Sequence, residues 1–286
     1  MRRLQFSIIS LLWFGLALVG AAEPKAVRVI SQTVGSDELL LALAEPTQIA
    51  ALSHLSRESA FSGSTEEAKA YPQLSKNCDM EGLLKYQPTL VLYANYSRVE
   101  MVTQARRAGL KVIVFEHYET IEDSYANLRL LARELGPDAE AKAERIVADC
   151  ERRIANLRER LRGVKPVRVL SPSNYGIIPG DGTTFQDLCD HASAENVAAT
   201  VGKLHGHVAA PNEQMLTWPV EKVVLSGDEV ETPLALFRKL PPYQYMPAVR
   251  EGRVALLKHY QLSCVSHRKI EGYEELARAL HPECFK

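Results

Sequence analysis

The sequence lacks the short motifs that mark the common nucleotide-binding and hydrolytic sites. No G-x-x-x-x-G-K-[ST] or G-x-G-x-x-G phosphate loop occurs in its 286 residues. No G-x-S-x-G elbow is present either, because Leu225-Ser226-Gly227-Asp228 lacks the flanking glycine pattern of hydrolases. The run Gly180-Asp181-Gly182 suits a turn better than a phosphate loop. These absences argue against enzymes of those classes, and we expect a protein without catalytic residues.

Strong net charge and metal-binding cysteine motifs are also missing. Lys and Arg total 34 and Asp and Glu total 35, so the formal charge is only −1 and nucleic-acid binding is not indicated. The five cysteines match no zinc spacing, and their odd number leaves at least one thiol unpaired. A disulfide in the second half and free buried thiols both remain possible. The cysteines are Cys78, Cys150, Cys189, Cys264 and Cys284.

No segment after the amino terminus is apolar enough to span a membrane. At the amino terminus two arginines precede an apolar stretch from Ile8 to Val19, which is followed by small residues. This stretch is shorter than the ~20 residues of a spanning helix, and the small residues suit signal-peptidase cleavage. The sequence therefore predicts a signal peptide over residues 1–22, cleaved near Ala21 or Ala22, and a soluble exported product. A retained membrane anchor is the alternative.

The chain does contain one order of elements that occurs twice. In the first half Glu81 opens a helical pattern, and two apolar runs follow that end at His117-Tyr118. In the second half Glu213 takes the same place, and two apolar runs end at His259-Tyr260. Two similar α/β units predict a cleft between them, because open α/β sheets bind ligands at the carboxyl ends of their strands.

Strands alternate with helices on both sides of one long charged stretch. The stretch Ala139–Leu161 has no internal Gly or Pro and carries apolar side chains at helical spacing. At ~1.5 Å per residue it would extend ~35 Å, enough to connect two lobes, although packing on a single lobe is the alternative. We predict an α/β protein with two Rossmann-like lobes, mostly parallel sheets and a ligand cleft between the lobes. The predicted units are an N-terminal lobe over residues 25–136, an interlobe helix over 137–163 and a C-terminal lobe over 164–286.

The order of these motifs resembles the periplasmic substrate-binding proteins of ABC importers for iron chelates, heme and cobalamin. The resemblance rests on Gly35-Ser36-Asp37-Glu38-Leu39-Leu40, on Glu81 through Pro88 to Leu92, and on Gly182-Thr183-Thr184-Phe185 with Glu195-Asn196-Val197. It covers residues 27–281 and implies a monomer in the periplasm that works with an inner-membrane permease. It also implies that Glu81 and Glu213 dock against permease arginines. Capping of helix starts is the alternative role for both glutamates.

Candidate ligand-binding residues are the polar and aromatic side chains close to the ends of the predicted strands. Tyrosine offers a broad apolar face with one hydroxyl, and histidine can hydrogen-bond a ligand or bind its metal. The alternative is that the histidines are solvated loop residues. The candidates are His54, Arg57, Tyr93, Tyr96, His117, Tyr118, Asn174, Tyr175, His205, His207, His259 and Tyr260.

The resemblance also ranks the ligands. Heme-binding members carry a tyrosine before the first docking glutamate, and residues 74–78 contain none. Anionic ferric siderophores meet several arginines, whereas the candidate loops offer mainly Arg57, Lys76 and Lys203. We therefore expect a transported cobalt or iron chelate, with cobalamin or another corrinoid ahead of ferric siderophores, and no resident cofactor. The alternatives are heme and a bare divalent cation, the latter held by His54, His117, His207 and His259.

Overall fold

The computed structural model describes residues 26–286, so the predicted signal peptide lies outside the described range. The strands are β1 (Val29–Ser31), β2 (Ile49–Ala51), β3 (Leu90–Ala94), β4 (Lys111–Phe115), β5 (Val167–Leu170), β6 (Ile177–Pro179), β7 (Ala194–Asn196), β8 (His207–Ala209), β9 (Lys222–Ser226) and β10 (Val254–Leu257). The α-helices are α1 (Val34–Leu43), α2 (Thr65–Ala68), α3 (Met80–Leu84), α4 (Val99–Arg107), α5 (Ile121–Leu135), α6 (Pro137–Arg160), α7 (Thr184–His191), α8 (Val197–Thr200), α9 (Glu231–Phe237), α10 (Pro247–Arg250) and α11 (Lys269–Leu280). Within residues 26–286, every helix is too short or too polar to cross a membrane.

Each half of the chain forms its own four-stranded parallel sheet. The first sheet has the order β2-β1-β3-β4 and the second the order β10-β9-β5-β7. All five residues of β3 are buried, as expected for a parallel sheet that helices cover on both faces. Strands β6 and β8 form a separate antiparallel pair. The predicted α/β fold with two lobes and mostly parallel sheets is confirmed.

Helix α6 is the long helix that the sequence predicts between the lobes. It starts at Pro137, a residue favoured in the first turn of a helix. The preceding residue, Gly136, ends α5 with a φ of 115°, a conformation that glycine adopts at little cost. Near its start Lys142 pairs with Glu45 of the first lobe at 2.7 Å, and further on Arg153 pairs with Glu274 of α11 at 2.7 Å. The helix therefore contacts both lobes along its 24 residues.

The lobes also touch each other directly where α1 meets the segment of residues 263–268, which precedes α11. A Cβ atom on Gly35 would lie 2.3 Å from Cγ2 of Val265, so only glycine permits this approach. One carboxylate oxygen of Glu38 accepts a hydrogen bond from the amide of Gly63 at 2.8 Å, and the other accepts one from the hydroxyl of Ser266 at 2.5 Å. Glu38 thus connects the first lobe to the 263–268 segment of the second.

All five cysteines lie in the described range and none forms a disulfide. Cys150, Cys189 and Cys264 are buried, and Cys78 and Cys284 are half-buried. Burial raises the pKa of the Cys264 thiol to about 12 and that of Cys150 to about 11. The alternative of free thiols is therefore the one that the structure supports.

Candidate functional site

The carboxyl ends of the first sheet's strands and the 263–268 segment enclose a cavity of about 280 Å³. We call it the interlobe cavity. Strands β1, β2 and β3 run parallel, so the residues that follow them meet at one edge of the sheet. Both lobes contribute to its walls, which places it where the sequence predicts a cleft. Its lining includes Gln32, His54, Phe61, Tyr96, Cys264 and Val265.

Aromatic side chains stand at the entrance of the interlobe cavity. The rings of Tyr96 and Tyr118 pack edge to face, with their centroids 5.6 Å apart and their planes at 87°. The Tyr118 hydroxyl donates to Oδ1 of Asn95 at 3.0 Å, which fixes the orientation of its ring. Tyr96 is 60% exposed and Phe61 is 52% exposed. These two rings therefore offer apolar faces on which a flat ligand can stack.

Two neighbouring carboxyl groups lie at the start of α1, and one of them, Glu38, belongs to the cavity lining. Asp37 is fully buried, and its two oxygens accept hydrogen bonds from the amide of Ser53 at 2.9 Å and its hydroxyl at 2.5 Å. Burial raises the pKa of Asp37 to about 7, against the opposing effect of hydrogen bonds from Ser31 and Ser53. Burial also raises the pKa of Glu38, which lines the cavity. Burial thus makes both carboxyl groups harder to ionise than exposed ones.

The predicted ligand-binding residues of the first lobe lie at the cavity, on the surface away from it, or in the core. His54 and Tyr96 line the cavity, and Tyr118 packs against Tyr96. His117 is exposed after β4, and exposed Arg57 donates to the carbonyl of Tyr71 at 2.6 Å instead of reaching the cavity. Tyr93 is buried in the core of the lobe.

Tyr93 is a core residue, not a ligand-facing one. It is 1% exposed and lies within β3, where it pairs with Val114 of β4. Its hydroxyl points to the carbonyl of Met101 in α4 at 3.5 Å. Side chains of paired strand residues project from the two faces of the sheet, and helices cover both faces here. Tyr93 therefore packs under a helix and cannot reach the edge where the strands end.

Predicted residues of the second lobe lie outside the lining of the interlobe cavity. Asn174 and Tyr175 are exposed on the loop after β5, with Tyr175 85% exposed. His205 and His207 are exposed near the β6–β8 pair, and His259 is exposed after β10. Ligand contact by these residues stays a prediction.

Tyr260 is occupied by contacts with both lobes. Its hydroxyl donates to Oε2 of Glu271 at 2.5 Å, and the guanidinium of Arg268 lies 5.9 Å from the centre of its ring. It also packs close to Gly63, where an added Cβ would lie 2.8 Å from a ring carbon of Tyr260. Tyr260 therefore supports the contact between the lobes in this arrangement.

Most residues of the cavity lining are not among the sequence predictions, and three of them show why. Gln32 follows β1, Phe61 lies in the long loop after β2, and Val265 comes from the 263–268 segment. The position of Gln32 directly after a buried strand is a signal that could have identified it. Phe61 and Val265 carry no local signal, since only the tertiary fold brings them to the cavity.

No three side chains of His, Cys, Asp or Glu in residues 26–286 are grouped as a metal ion would require. The four histidines considered for a bare cation come from separate loops and strands. Their role as metal ligands stays a prediction.

The two glutamates predicted to dock are both exposed, and neither side chain makes a capping hydrogen bond. Asp79 caps α3 instead, because its Oδ1 accepts the amide hydrogen of Gly82 at 2.8 Å. Glu81 lies in the first turn of α3, where its only described ion pair is with Lys85 at 3.4 Å. Glu213 precedes a 3₁₀ turn, Gln214–Thr217, and its side chain makes no capping hydrogen bond. Both carboxylates thus face solvent, and Glu81 also lies where the dipole of α3 favours a negative charge, so docking and the helix-start role both stay predictions.

Comparison with known proteins agrees with this geometry. A family model described as periplasmic binding protein matches residues 29–260. A curated relative, the uncharacterized ABC transporter substrate-binding lipoprotein YvrC of Bacillus subtilis (strain 168), is 23% identical over 219 residues. That alignment covers 73% of this chain and 67% of YvrC.

Solved structures of binding proteins share the two-lobe architecture. The periplasmic heme-binding protein RhuT from Roseiflexus sp. RS-1, in apo form, superimposes with a TM-score of 0.76 at 21% identity. That superposition covers 91% of this chain and 99% of RhuT. The periplasmic vitamin B12 binding protein BtuF of Vibrio cholerae has a TM-score of 0.70 at 18% identity, and the match covers 91% of this chain and 98% of BtuF. At this level of identity the likeness establishes the fold.

Proposed function

Because the chain belongs to the periplasmic binding protein family, we propose that it captures a metal chelate between its lobes and delivers it to the permease of an ABC importer. The observation that carries this proposal is the interlobe cavity, which opens at the strand ends of the first lobe and presents the ring faces of Tyr96 and Phe61. Large ring ligands gain most of their affinity from such apolar contacts.

A corrinoid such as cobalamin is the ligand that we favour. No Lys or Arg side chain is among the residues that line the interlobe cavity, and these residues include Glu38. An anionic ferric siderophore would lack a countercharge there, whereas a corrinoid can use aromatic faces and neutral hydrogen-bonding groups. The lack of basic side chains in the lining thus ranks a corrinoid above a siderophore.

Heme is the second candidate, because His54 places one imidazole in the cavity lining. A neutral imidazole is a common ligand of heme iron. The absence of basic groups in the same lining offers no partner to the carboxylates of a heme. We therefore place heme second.

The size of the cavity indicates how a large ligand would enter. Pockets that enclose a whole drug-sized molecule measure ~300–1,000 Å³, and the interlobe cavity of about 280 Å³ is below that range. A macrocycle would therefore lie across its mouth or separate the lobes further. Separation would break the hydrogen bond between Glu38 and Ser266.

A binding titration tests the proposed function. The purified protein is titrated with cyanocobalamin, hemin and a panel of ferric siderophores, with binding followed by protein fluorescence and ligand absorbance. We expect saturable binding of cyanocobalamin. If hemin alone binds and His54→Ala alters its Soret band, heme replaces the corrinoid. If no chelate binds, the proposed function is wrong.

We further propose that Glu81 and Glu213 provide the charged contacts to the permease. Both are exposed, and each belongs to a different lobe, so a partner that pairs with both fixes the orientation of the whole protein. Reversal of both charges is expected to abolish transport while leaving chelate binding unchanged. Transport at the wild-type rate by the double variant would contradict this assignment.

A further inference from the structure

Each lobe carries a short helical turn in which a charged, a buried and an exposed side chain recur in the same order. In the first lobe, the turn of residues 80–84 carries exposed Glu81 as its second residue. Leu83 is fully buried in the apolar core of that lobe, whereas Leu84 is 42% exposed. We call residues 80–84 the first docking turn.

The second lobe repeats this arrangement in residues 213–217, which we call the second docking turn. Glu213 is exposed, Met215 is fully buried in the core of its lobe, and Leu216 is 36% exposed. In both turns the buried side chain comes two residues after the glutamate, and the exposed leucine comes three residues after it.

This spacing places each leucine beside its glutamate. In helical turns, residues three apart lie on the same face, and in a 3₁₀ turn they eclipse each other. The buried side chain between them packs into the core and limits rotation of the turn on its lobe. Each turn therefore holds a carboxylate and an apolar side chain side by side on a fixed base.

We propose that Leu84 and Leu216 are apolar contacts for the permease, paired with Glu81 and Glu213 in two equivalent patches. The proposal rests on the docking role assigned above and commits to a permease built from two identical subunits. A homodimer presents the same surface twice about its two-fold axis, and the two docking turns offer it the same arrangement of side chains twice. A guanidinium beside an apolar pocket on each subunit would match each patch.

The two kinds of side chain contribute different terms to binding. Exposed carboxylates accelerate association and set the orientation, and their effect weakens as salt screens them. Burial of a leucine is insensitive to such screening and mainly slows dissociation. We therefore expect the part of the affinity that comes from the leucines to persist at high salt.

Binding of single variants to the permease separates these terms. Ligand-free protein is measured by biolayer interferometry against the ABC permease complex in lipid nanodiscs, at low and at high salt. We expect Leu84→Ala and Leu216→Ala each to weaken binding about threefold to tenfold, through faster dissociation, at both salt concentrations. Glu81→Ala and Glu213→Ala should slow association, with a smaller effect at high salt. Leu236→Ala in α9 is the matched control, because Leu236 is 46% exposed outside both docking turns.

The outcomes distinguish this inference from the docking role on which it rests. If the glutamate variants weaken binding and the leucine variants behave like Leu236→Ala, the apolar contacts are wrong and the charged contacts stand. If the leucine variants weaken binding and the glutamate variants do not, the charged contacts are wrong. If neither pair differs from the control, docking through both turns is refuted. Unchanged melting temperatures, repeated with Leu84→Gln and Leu216→Gln, exclude unfolding as the cause.

Discussion

Replacement of Asp37 by asparagine should remove a pH dependence from the stability of the protein. Asp37 is fully buried, and burial raises its pKa from 3.8 to about 7 in the folded state. Between these values the folded protein holds a proton on Asp37 that the unfolded chain has released. The carboxyl group's contribution to stability is therefore fully present below pH 3.8, and it is lost as the pH rises to about 7.

The size of the effect follows from the difference between the two pKa values. One pKa unit corresponds to ~1.4 kcal/mol, so a rise from 3.8 to about 7 costs on the order of 4 kcal/mol at neutral pH. Asparagine keeps an oxygen for the amide of Ser53, and the hydroxyl of Ser53 can rotate to accept from the new amide group. The variant should therefore fold without this titration.

Urea denaturation of both proteins from pH 4 to pH 8 is the assay. We expect the free energy of unfolding of Asp37→Asn, relative to wild type, to increase by about 4 kcal/mol across that range. Glu221→Gln is the control, because hydrogen bonds from Arg168 lower the pKa of Glu221 below its usual 4.5. Its carboxylate stays ionised in both states above that value, so the difference between Glu221→Gln and wild type should stay constant from pH 5 to pH 8. A difference between Asp37→Asn and wild type that does not change with pH would refute the reasoning.

Three further results are expected from the interlobe cavity and its walls. Tyr96→Ala should weaken chelate binding about threefold to tenfold, whereas the core change Tyr93→Phe should leave it unchanged in the same fluorescence titration. Equal effects would contradict the assignment of Tyr93 to the core. Gly35→Ala should lower the free energy of unfolding by about 1–3 kcal/mol, because its methyl group would overlap Val265, and an unchanged urea midpoint would contradict that packing. Small-angle scattering should show no decrease in the radius of gyration when chelate binds; a drop of several ångströms would mean that the lobes close.

The sequence predicts most of the architecture because apolar runs and helix boundaries are local features. The long charged stretch Ala139–Leu161 does form a helix, and α6 starts two residues before it, at Pro137. Proline is favoured in the first turn of a helix, where its missing amide hydrogen costs nothing. The β6–β8 pair was not predicted, since His207–Ala209 is neither apolar nor regularly alternating. Its pairing depends on the lobe that supports it.

The cavity lining is less predictable, because it depends on contacts between distant parts of the chain. Glu38 reaches Ser266 across 228 positions, and Val265 packs against Gly35 only when the lobes meet. The motif from Gly35 to Leu40 supported the family resemblance, but it did not indicate that Glu38 joins the lobes. In α1 the two acidic residues Asp37 and Glu38 directly precede apolar Leu39, and both are buried, which is unusual for carboxyl groups. Their partners could not be read from the sequence.

Tyr93 and Tyr96 show why ligand-binding residues predicted from strand ends can be wrong. Both faces of strand β3 are covered, so each of its five residues is buried whichever way its side chain points. Tyr93 is inside the ladder, one residue before the last pair, Ala94 with Phe115. Tyr96 is two residues beyond that pair, where the chain leaves the sheet and its ring reaches the cavity. Ligand contacts in such a fold therefore begin only after the last paired residue, and an error of two residues in the predicted strand end turns a core side chain into an apparent ligand contact.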